Sequence, residues 1–122
     1  MIGYVTLGTN NLPRAAGFYA ALLGELGAKR MMESDTLVAW SVSPQLPGLG
    51  VILPHDKQPA TVGNGSMVAL VVDSKAKVDA LHGKAMALGG KDEGAPGPRG
   101  DGFYAGYFRD LDGNKLDVFC FG

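Results

Sequence analysis

The sequence predicts an α+β fold of two βαβββ modules in tandem, whose strands form a concave mixed sheet with the helices on its outside. Two segments have apolar residues at helical spacing, and a short strand-like segment precedes each of them. Strand-like segments also follow each helix, so the second half of the chain repeats the pattern of the first. The 19 glycines fit an architecture of short strands joined by tight turns.

The first module is expected at about residues 1–54. Residues 2–8 alternate and are rich in β-formers, which predicts the first strand. Asn10-Asn11 then predicts the N-cap of a helix over roughly residues 12–26, and Gly27 is well placed to end it. The other strands of this module are predicted near residues 28–34, 36–42 and 49–53.

The second module is expected at about residues 66–122, after a linker at about residues 55–65 that is rich in Pro, Gly and polar residues. Residues 67–72 predict a strand, and Asp73-Ser74 predicts the cap of a helix over roughly residues 75–88. We therefore interpret the whole chain as a single domain made of two modules.

The last predicted hairpin carries the main functional candidate. Asp112-Gly113 predicts its tight turn, because Gly tolerates a positive φ and Asp can bond to nearby backbone. In the strand after the turn, alternation places Asp117 on one face with Phe119 and Phe121. A carboxylate beside two aromatic rings is costly on a packed face but reasonable in a cavity. Asp117 is therefore the first candidate for function.

Short motifs occur in a fixed order along the chain. The most specific is the Asp112-Gly113-Asn114 turn, followed by a strand that carries an acid. The others are Asn10-Asn11-Leu12, Phe18-Tyr19, Leu22-Leu23-Gly24 and Tyr107-Phe108-Arg109-Asp110. Together they resemble the vicinal oxygen chelate superfamily, the group of glyoxalases, bleomycin-resistance proteins and extradiol dioxygenases. The resemblance covers essentially the whole chain, and it implies paired βαβββ units that enclose a cavity and a homodimeric assembly.

The resemblance also implies where a metal would bind. Enzymes of that superfamily hold a divalent metal with His and acidic residues from the first, fourth, fifth and last strands. The matching positions here are Tyr4, Gly50, Met67 and Asp117, so only one of them carries a good ligand. Such sites need several His or carboxylate donors at once. We therefore expect no cofactor and no metal ligands, and a divalent metal held by Asp117 is kept as the alternative.

The two histidines do not complete a metal site of that kind. His55 follows the fourth predicted strand in a loop, and His82 lies on the second predicted helix near its apolar stripe. Both are expected to be exposed or half-exposed imidazoles. His55 is also kept as a residue at the mouth of the cavity.

The remaining inner-face side chains suit contact with an organic molecule. Tyr4, Met67 and Phe119 offer flat or adaptable apolar surfaces. Trp40 is added to this set, with core packing as its alternative. Asp117 either contacts the ligand, with a raised pKa that lets it act with Tyr4 as an acid–base pair, or it pairs with Tyr4 or a basic side chain to hold the fold.

A segment before the last hairpin is a further candidate. Residues 94–102 are rich in Gly and Pro and are interpreted as a flexible loop that serves as a lid. Arg99 on this loop would meet an anionic group of the ligand, with a solvated surface arginine as the alternative. Tyr104, which follows the loop, is included among the ligand-binding residues.

Composition limits the partners of the protein. A net charge of -1 gives no reason to expect nucleic acid or an anionic membrane. Cys120 is the only cysteine, so no intrachain disulfide can form, and it is expected to be a buried strand residue. The N-terminal residues lack the features of a signal peptide. We therefore expect a cytoplasmic protein whose partners are a small molecule and a second copy of itself.

Two functions from different classes fit these observations. The first is a small-molecule binding protein of the bleomycin-resistance kind, which the loss of metal ligands favours. The second is a lyase or dioxygenase of the glyoxalase or extradiol dioxygenase kind, which the acid kept on the inner face favours.

Overall fold

A computed structural model describes all residues of the chain, 1–122. The chain divides into two compact units, Met1–Val62 and Gly63–Gly122, which we call unit 1 and unit 2. The elements of unit 1 are β1 (Tyr4–Gly8), α1 (Leu12–Gly24), β2 (Lys29–Glu33), β3 (Leu37–Ser41) and β4 (Gly48–Ile52). The elements of unit 2 are β5 (Val68–Val71), α2 (Lys75–Ala87), β6 (Lys91–Pro98), β7 (Phe103–Arg109) and β8 (Lys115–Phe121).

Each unit contains one four-stranded mixed sheet. The strand order is β1-β4-β3-β2 in unit 1 and β5-β8-β7-β6 in unit 2. In both sheets the first strand pairs in parallel with the last, and the other neighbours are antiparallel. The α+β class and the tandem βαβββ order that the sequence predicts are therefore confirmed.

The helix of each unit covers one face of its sheet. In unit 1, the buried α1 residues Phe18, Tyr19 and Leu22 lie on the side of the sheet that carries Val38 and Trp40. In unit 2, α2 packs against β6, β7 and β8. Its buried side chains are Val78, Leu81, His82 and Ala85, and those of the strands on this side are Phe108, Leu116, Val118 and Cys120. Each sheet therefore has a second face without a helix, which we call the helix-free face.

Both helices begin at the caps that the sequence predicts. The Asn11 side chain accepts a hydrogen bond from the backbone N–H of Arg14, and the Ser74 side chain accepts one from the N–H of Lys77. The helix α1 ends at Gly24, two residues before the predicted end. The residues after it continue in a tighter turn, in which the N–H of Leu26 bonds to the carbonyl of Leu23.

The predicted loop at residues 94–102 is wrong over most of its length. Strand β6 runs to Pro98, and residues 99–102 alone connect it to β7. The pairing of β6 with β7 is irregular, with register shifts at Asp92/Gly94 and at Gly94/Gly97. A bulged strand at the edge of a sheet tolerates the glycines and prolines that a regular central strand would not. Those residues concealed the strand in the sequence.

Neither helix combines the length and apolar character that a membrane-crossing helix requires.

Candidate functional site

The turn between β7 and β8 is held by a carboxylate that the sequence analysis did not single out. The Oδ1 atom of Asp110 accepts hydrogen bonds from the backbone N–H groups of Asp112 and Asn114, both at 2.9 Å. Its Oδ2 atom accepts from the side-chain amide of Asn114 at 2.9 Å. Gly113 has a φ of 90°, as a residue without Cβ readily allows. The buried Asp110 thus shapes a five-residue connection and fixes where β8 begins.

Asp117 lies on the helix-free face of unit 2, in the middle of the sheet. Strand β8 is flanked by β5 and β7, and Asp117 is opposite Ala69 on one side and Tyr107 on the other. Its side chain is only 2% exposed, and its Oδ1 atom has no hydrogen-bond partner. A buried polar atom without a partner is rare in native proteins and calls for an explanation.

The pKa of Asp117 is raised to about 6. Burial is the main cause, because it disfavours the charged carboxylate, and the nearby charge of Lys115 partly offsets it. Within unit 2, no basic side chain lies at ion-pair distance from this carboxylate. The carboxylate is therefore poised to exchange a proton near neutral pH.

Two cationic side chains form cation–π contacts with Tyr107, the residue opposite Asp117. The Nζ atom of Lys115 lies 5.5 Å from the centre of the Tyr107 ring, and the Cζ atom of Arg99 lies 5.6 Å from it. Neither cation forms an ion pair with a carboxylate, whereas the neighbouring Arg109 is paired with Glu93 at 2.5 Å. The region around Tyr107 therefore carries two cations that form no ion pair with a carboxylate of unit 2.

Arg99 reaches Tyr107 because two glycines leave space for it. Its Nη2 atom donates to the carbonyl of Ala95 at 2.6 Å, and its Nη1 atom donates to the carbonyl of Pro98 at 3.3 Å. A Cβ atom added at Gly94 would lie 3.3 Å from Nη2, and one added at Gly97 would lie 3.1 Å from Nη1. The side chain thus folds back along β6 from the connection between β6 and β7.

Three phenylalanine rings form a cluster on the other side of Asp117. Phe103 and Phe119 stack with their ring centres 5.2 Å apart, and Phe121 meets both of them edge-on, at 5.9 and 5.5 Å. Phe121 is 75% exposed. The helix-free face of unit 2 therefore carries cations at one end, a buried acid in the middle and an aromatic cluster at the other end.

His82 is not the exposed or half-exposed imidazole that the sequence predicts, because it lies under the sheet. It is 6% exposed, and its Nε2 atom lies 3.0 Å from Oδ1 of Asp92 and 3.2 Å from the carbonyl oxygen of Tyr107. Its spacing from Val78 and Ala85, four residues before and three after, is the helical period that could have indicated burial. His82 thus links α2 to β6 and β7. His55 is exposed, as expected.

Two of the predicted ligand-binding residues lie on the helix side of their sheets. Trp40 is 3% exposed, and its ring centre is 6.2 Å from that of Tyr19 on α1. The Tyr104 hydroxyl donates to Oδ1 of Asp79 on α2 at 2.7 Å, and this bond raises the pKa of the tyrosine. Trp40 therefore packs in the core, which was its alternative, and the placement of Tyr104 on a ligand-binding face is corrected.

The other predicted contacts divide between the two units. In unit 1, Tyr4 is 51% exposed on β1. In unit 2, Met67 is 43% exposed just before β5, and Phe119 and Arg99 accompany Asp117 on the helix-free face. Tyr107 and Lys115, which the sequence analysis did not propose as contacts, also belong to this face.

The residues present do not fit a metal site of the superfamily type. No group of three or more His, Cys, Asp or Glu residues is arranged to hold a metal ion anywhere in the chain. Of the four corresponding positions, Tyr4 and Gly50 lie in unit 1, and Met67 and Asp117 lie in unit 2. A single carboxylate with tyrosine, glycine and methionine in place of its partners is a poor donor set for a divalent ion.

Comparison with known proteins agrees with this architecture. Residues 1–118 match the Glyoxalase/Bleomycin resistance protein/Dioxygenase superfamily. A glyoxalase/bleomycin resistance protein from Albidiferax ferrireducens is 36% identical, with a TM-score of 0.91 over 100% of this chain and 99% of that one. Lactoylglutathione lyase from Agrobacterium tumefaciens is 24% identical, with a TM-score of 0.72 over 98% of this chain and 92% of that one, and shows a shared fold. Comparison with curated proteins finds no match.

Proposed function

This chain belongs to the Glyoxalase/Bleomycin resistance protein/Dioxygenase superfamily, and we propose that it binds a small organic molecule on the helix-free face of unit 2 without a metal site of the superfamily type. The observation that carries this proposal is the unpartnered Oδ1 atom of the buried Asp117. A ligand that donates a hydrogen bond to this atom would remove the cost of leaving it unsatisfied, which is about 1–3 kcal/mol.

The surroundings of Asp117 support a binding site rather than a packed core. Tyr107 beside it is partly exposed, and so are Lys115 and Phe119, two residues away on the same strand and face. Because Asp117 itself is almost fully buried, a ligand reaches it only when neighbouring side chains move aside. Side-chain rotation of this kind is common on ligand binding.

Catalysis is the second candidate function, and the pKa of Asp117 favours it. A carboxylate with a pKa of about 6 can take up or release a proton near neutral pH. Acid–base chemistry of the lyase or dioxygenase kind would then proceed through Asp117, with any turnover following an ionisation near pH 6.

Ligand binding is tested with a thermal-shift screen of small molecules that carry hydroxyl or amino groups. Compounds that stabilise the wild-type protein are then titrated by calorimetry against Asp117→Asn, which keeps the side-chain shape and removes the charge. We expect at least tenfold weaker binding to this variant, about 1.4 kcal/mol, because the amide is a poorer acceptor. Asp35→Asn changes an exposed acid of unit 1 and serves as the matched control.

Equal binding to the wild type and Asp117→Asn would contradict the proposal, as would a screen without any stabilising compound. Metal analysis of the same samples tests the other half of the proposal. We expect less than about 0.2 equivalents of nickel, zinc, iron or manganese, because one carboxylate holds a divalent ion poorly. Near-stoichiometric metal that is lost in Asp117→Asn would overturn this expectation.

The homodimer remains a prediction from the resemblance to the superfamily, and light scattering of the purified protein checks it.

A further inference from the structure

The order of side chains along the helix-free face of unit 2 indicates which class of molecule it would bind. Alternate residues of β8 place Lys115, Asp117 and Phe119 in successive rows, about 7 Å apart. Strand β7 contributes Tyr107 opposite Asp117 and Ala105 opposite Phe119. Cation, acid and aromatic ring therefore follow one another along a single line on this face.

The cationic end lies close to the acid. Lys115 and Arg99 both approach the ring of Tyr107, which is directly opposite Asp117 in the sheet. Neither has a carboxylate as an ion-pair partner, and the structure assigns only two hydrogen bonds to the five N–H donors of Arg99. An anionic group on a ligand would supply the missing acceptor for both cations.

The apolar end lies one row away from Asp117 in the other direction. The stacked rings of Phe103 and Phe119 form an apolar surface, and the exposed Phe121 extends it. A planar apolar group would bury aromatic surface here at little conformational cost.

We propose that this face recognises small aromatic carboxylates that carry a hydroxyl or amino group next to the carboxylate. The carboxylate would lie between Lys115 and Arg99, the hydroxyl or amino group would donate to Oδ1 of Asp117, and the aromatic ring would rest on the phenylalanine cluster. This inference rests on the proposed function, because it specifies the ligand of the same face.

The probe for this inference is 2-hydroxy-3-phenylpropanoate, titrated into the protein by calorimetry at pH 7.5. Each of three related probes lacks one feature: 3-phenylpropanoate lacks the hydroxyl group, 3-phenylpropane-1,2-diol lacks the carboxylate, and 2-hydroxypropanoate lacks the ring. We expect each of them to bind at least tenfold more weakly than the complete probe. Phenylalanine replaces the hydroxyl group by an amino group, and binding of either donor supports the inference.

Two variants test whether Lys115 and Arg99 bind the carboxylate of the probe. Lys115→Met and Arg99→Gln should each weaken binding of 2-hydroxy-3-phenylpropanoate about tenfold and weaken binding of the uncharged diol much less. Arg99 is exposed, so its variant keeps the test open if Lys115→Met folds poorly. Lys29→Met removes an exposed cation of unit 1 as the matched control and should leave both probes unaffected.

The possible failures are distinguishable. If the screened compounds bind through Asp117 but the carboxylate or the aromatic ring of the probe adds nothing to its affinity, this inference is wrong and the proposed function stands. The inference is also wrong if Lys115→Met and Arg99→Gln lower the affinities for the charged probe and for the diol by the same factor. If neither the probes nor any screened compound binds, the proposed function fails as well.

Discussion

The two units share one topology but differ in what they place at equivalent positions. In each sheet the first strand pairs in parallel with the last, and Thr6 is opposite Gly50 in unit 1 as Ala69 is opposite Asp117 in unit 2. The position that holds a buried acid in unit 2 therefore holds a glycine in unit 1. The repeated fold provides two helix-free faces, but the second alone has this acid.

The two glycines of β4, Gly48 and Gly50, are closely packed. A Cβ atom added at Gly50 would lie 3.0 Å from Cβ of Ala39 and 3.1 Å from the carbonyl oxygen of Val38. One added at Gly48 would lie 2.3 Å from the sulfur of Met31. Neighbouring atoms thus fill the space that a side chain would take. The helix-free face of unit 1 is thus closely packed at these two positions, whereas that of unit 2 carries the buried acid Asp117.

Moving the acid into unit 1 should produce the largest effect. In Gly50→Asp, the new side chain would press on Ala39 and on the backbone of Val38 and would also bury a charge without a partner. We expect a loss of about 4 kcal/mol in the free energy of unfolding, measured by urea denaturation. An exposed glycine of the same unit, Gly3, has no atom within 4 Å of an added Cβ. The control Gly3→Asp should therefore change stability by less than about 0.5 kcal/mol.

If Gly50→Asp were as stable as the Gly3 control, unit 1 would have room for an acid at this position. The contrast between the two helix-free faces would then need another explanation.

Removing the negative charge of Asp117 in unit 2 should have a smaller effect on the free energy of unfolding, and this effect depends on pH. The folded-state pKa of Asp117 is about 6, above its usual 3.8. The folded protein therefore binds more protons between these two values, and stability falls as the pH rises through this window. A shift of this size corresponds to about 3 kcal/mol. In Asp117→Asn, this loss should disappear.

Urea denaturation at pH 4 and at pH 7.5 measures this difference. Relative to the wild type, Asp117→Asn should gain about 2–3 kcal/mol on going from the lower to the higher pH. Asp35→Asn, the control in unit 1, should show no such gain. A wild-type protein that becomes more stable relative to Asp117→Asn at pH 7.5 would mean that the carboxylate has a stabilising partner.

Much of the fold could be predicted from the sequence because its signals are local. The caps at Asn11 and Ser74 and the repeated strand–helix order depend on neighbouring residues, and the structure confirms them. The face of Asp117 also followed from strict alternation after a well-marked turn. The turn itself was predicted without the role of Asp110, although an Asp followed four residues later by an Asn is a usable sign of side-chain bonds to the backbone.

The rest of the site depends on contacts that sequence alone does not specify. The faces of the sheets on which the side chains of Trp40 and Arg99 lie are two such features. Every residue from Val38 to Ser41 is buried, so no polar–apolar alternation marks the face of Trp40. Arg99 turns back onto Tyr107 over Gly94 and Gly97, which leave space for its side chain. Alternation places Tyr104 opposite in direction to Tyr107, but the face of each became known only from the pairing of Tyr107 with Asp117.

The central claim is that unit 2 contains a buried carboxyl group that lacks a partner until a ligand binds. An NMR titration of the Asp117 side-chain carboxyl carbon, in ¹³C-labelled protein without ligand, tests it most directly. The expected result is a pKa of about 6, which falls when a hydrogen-bond donor binds to the carboxylate. A pKa at or below the usual value of 3.8 would show that Asp117 is already paired in the free protein, and would contradict the claim.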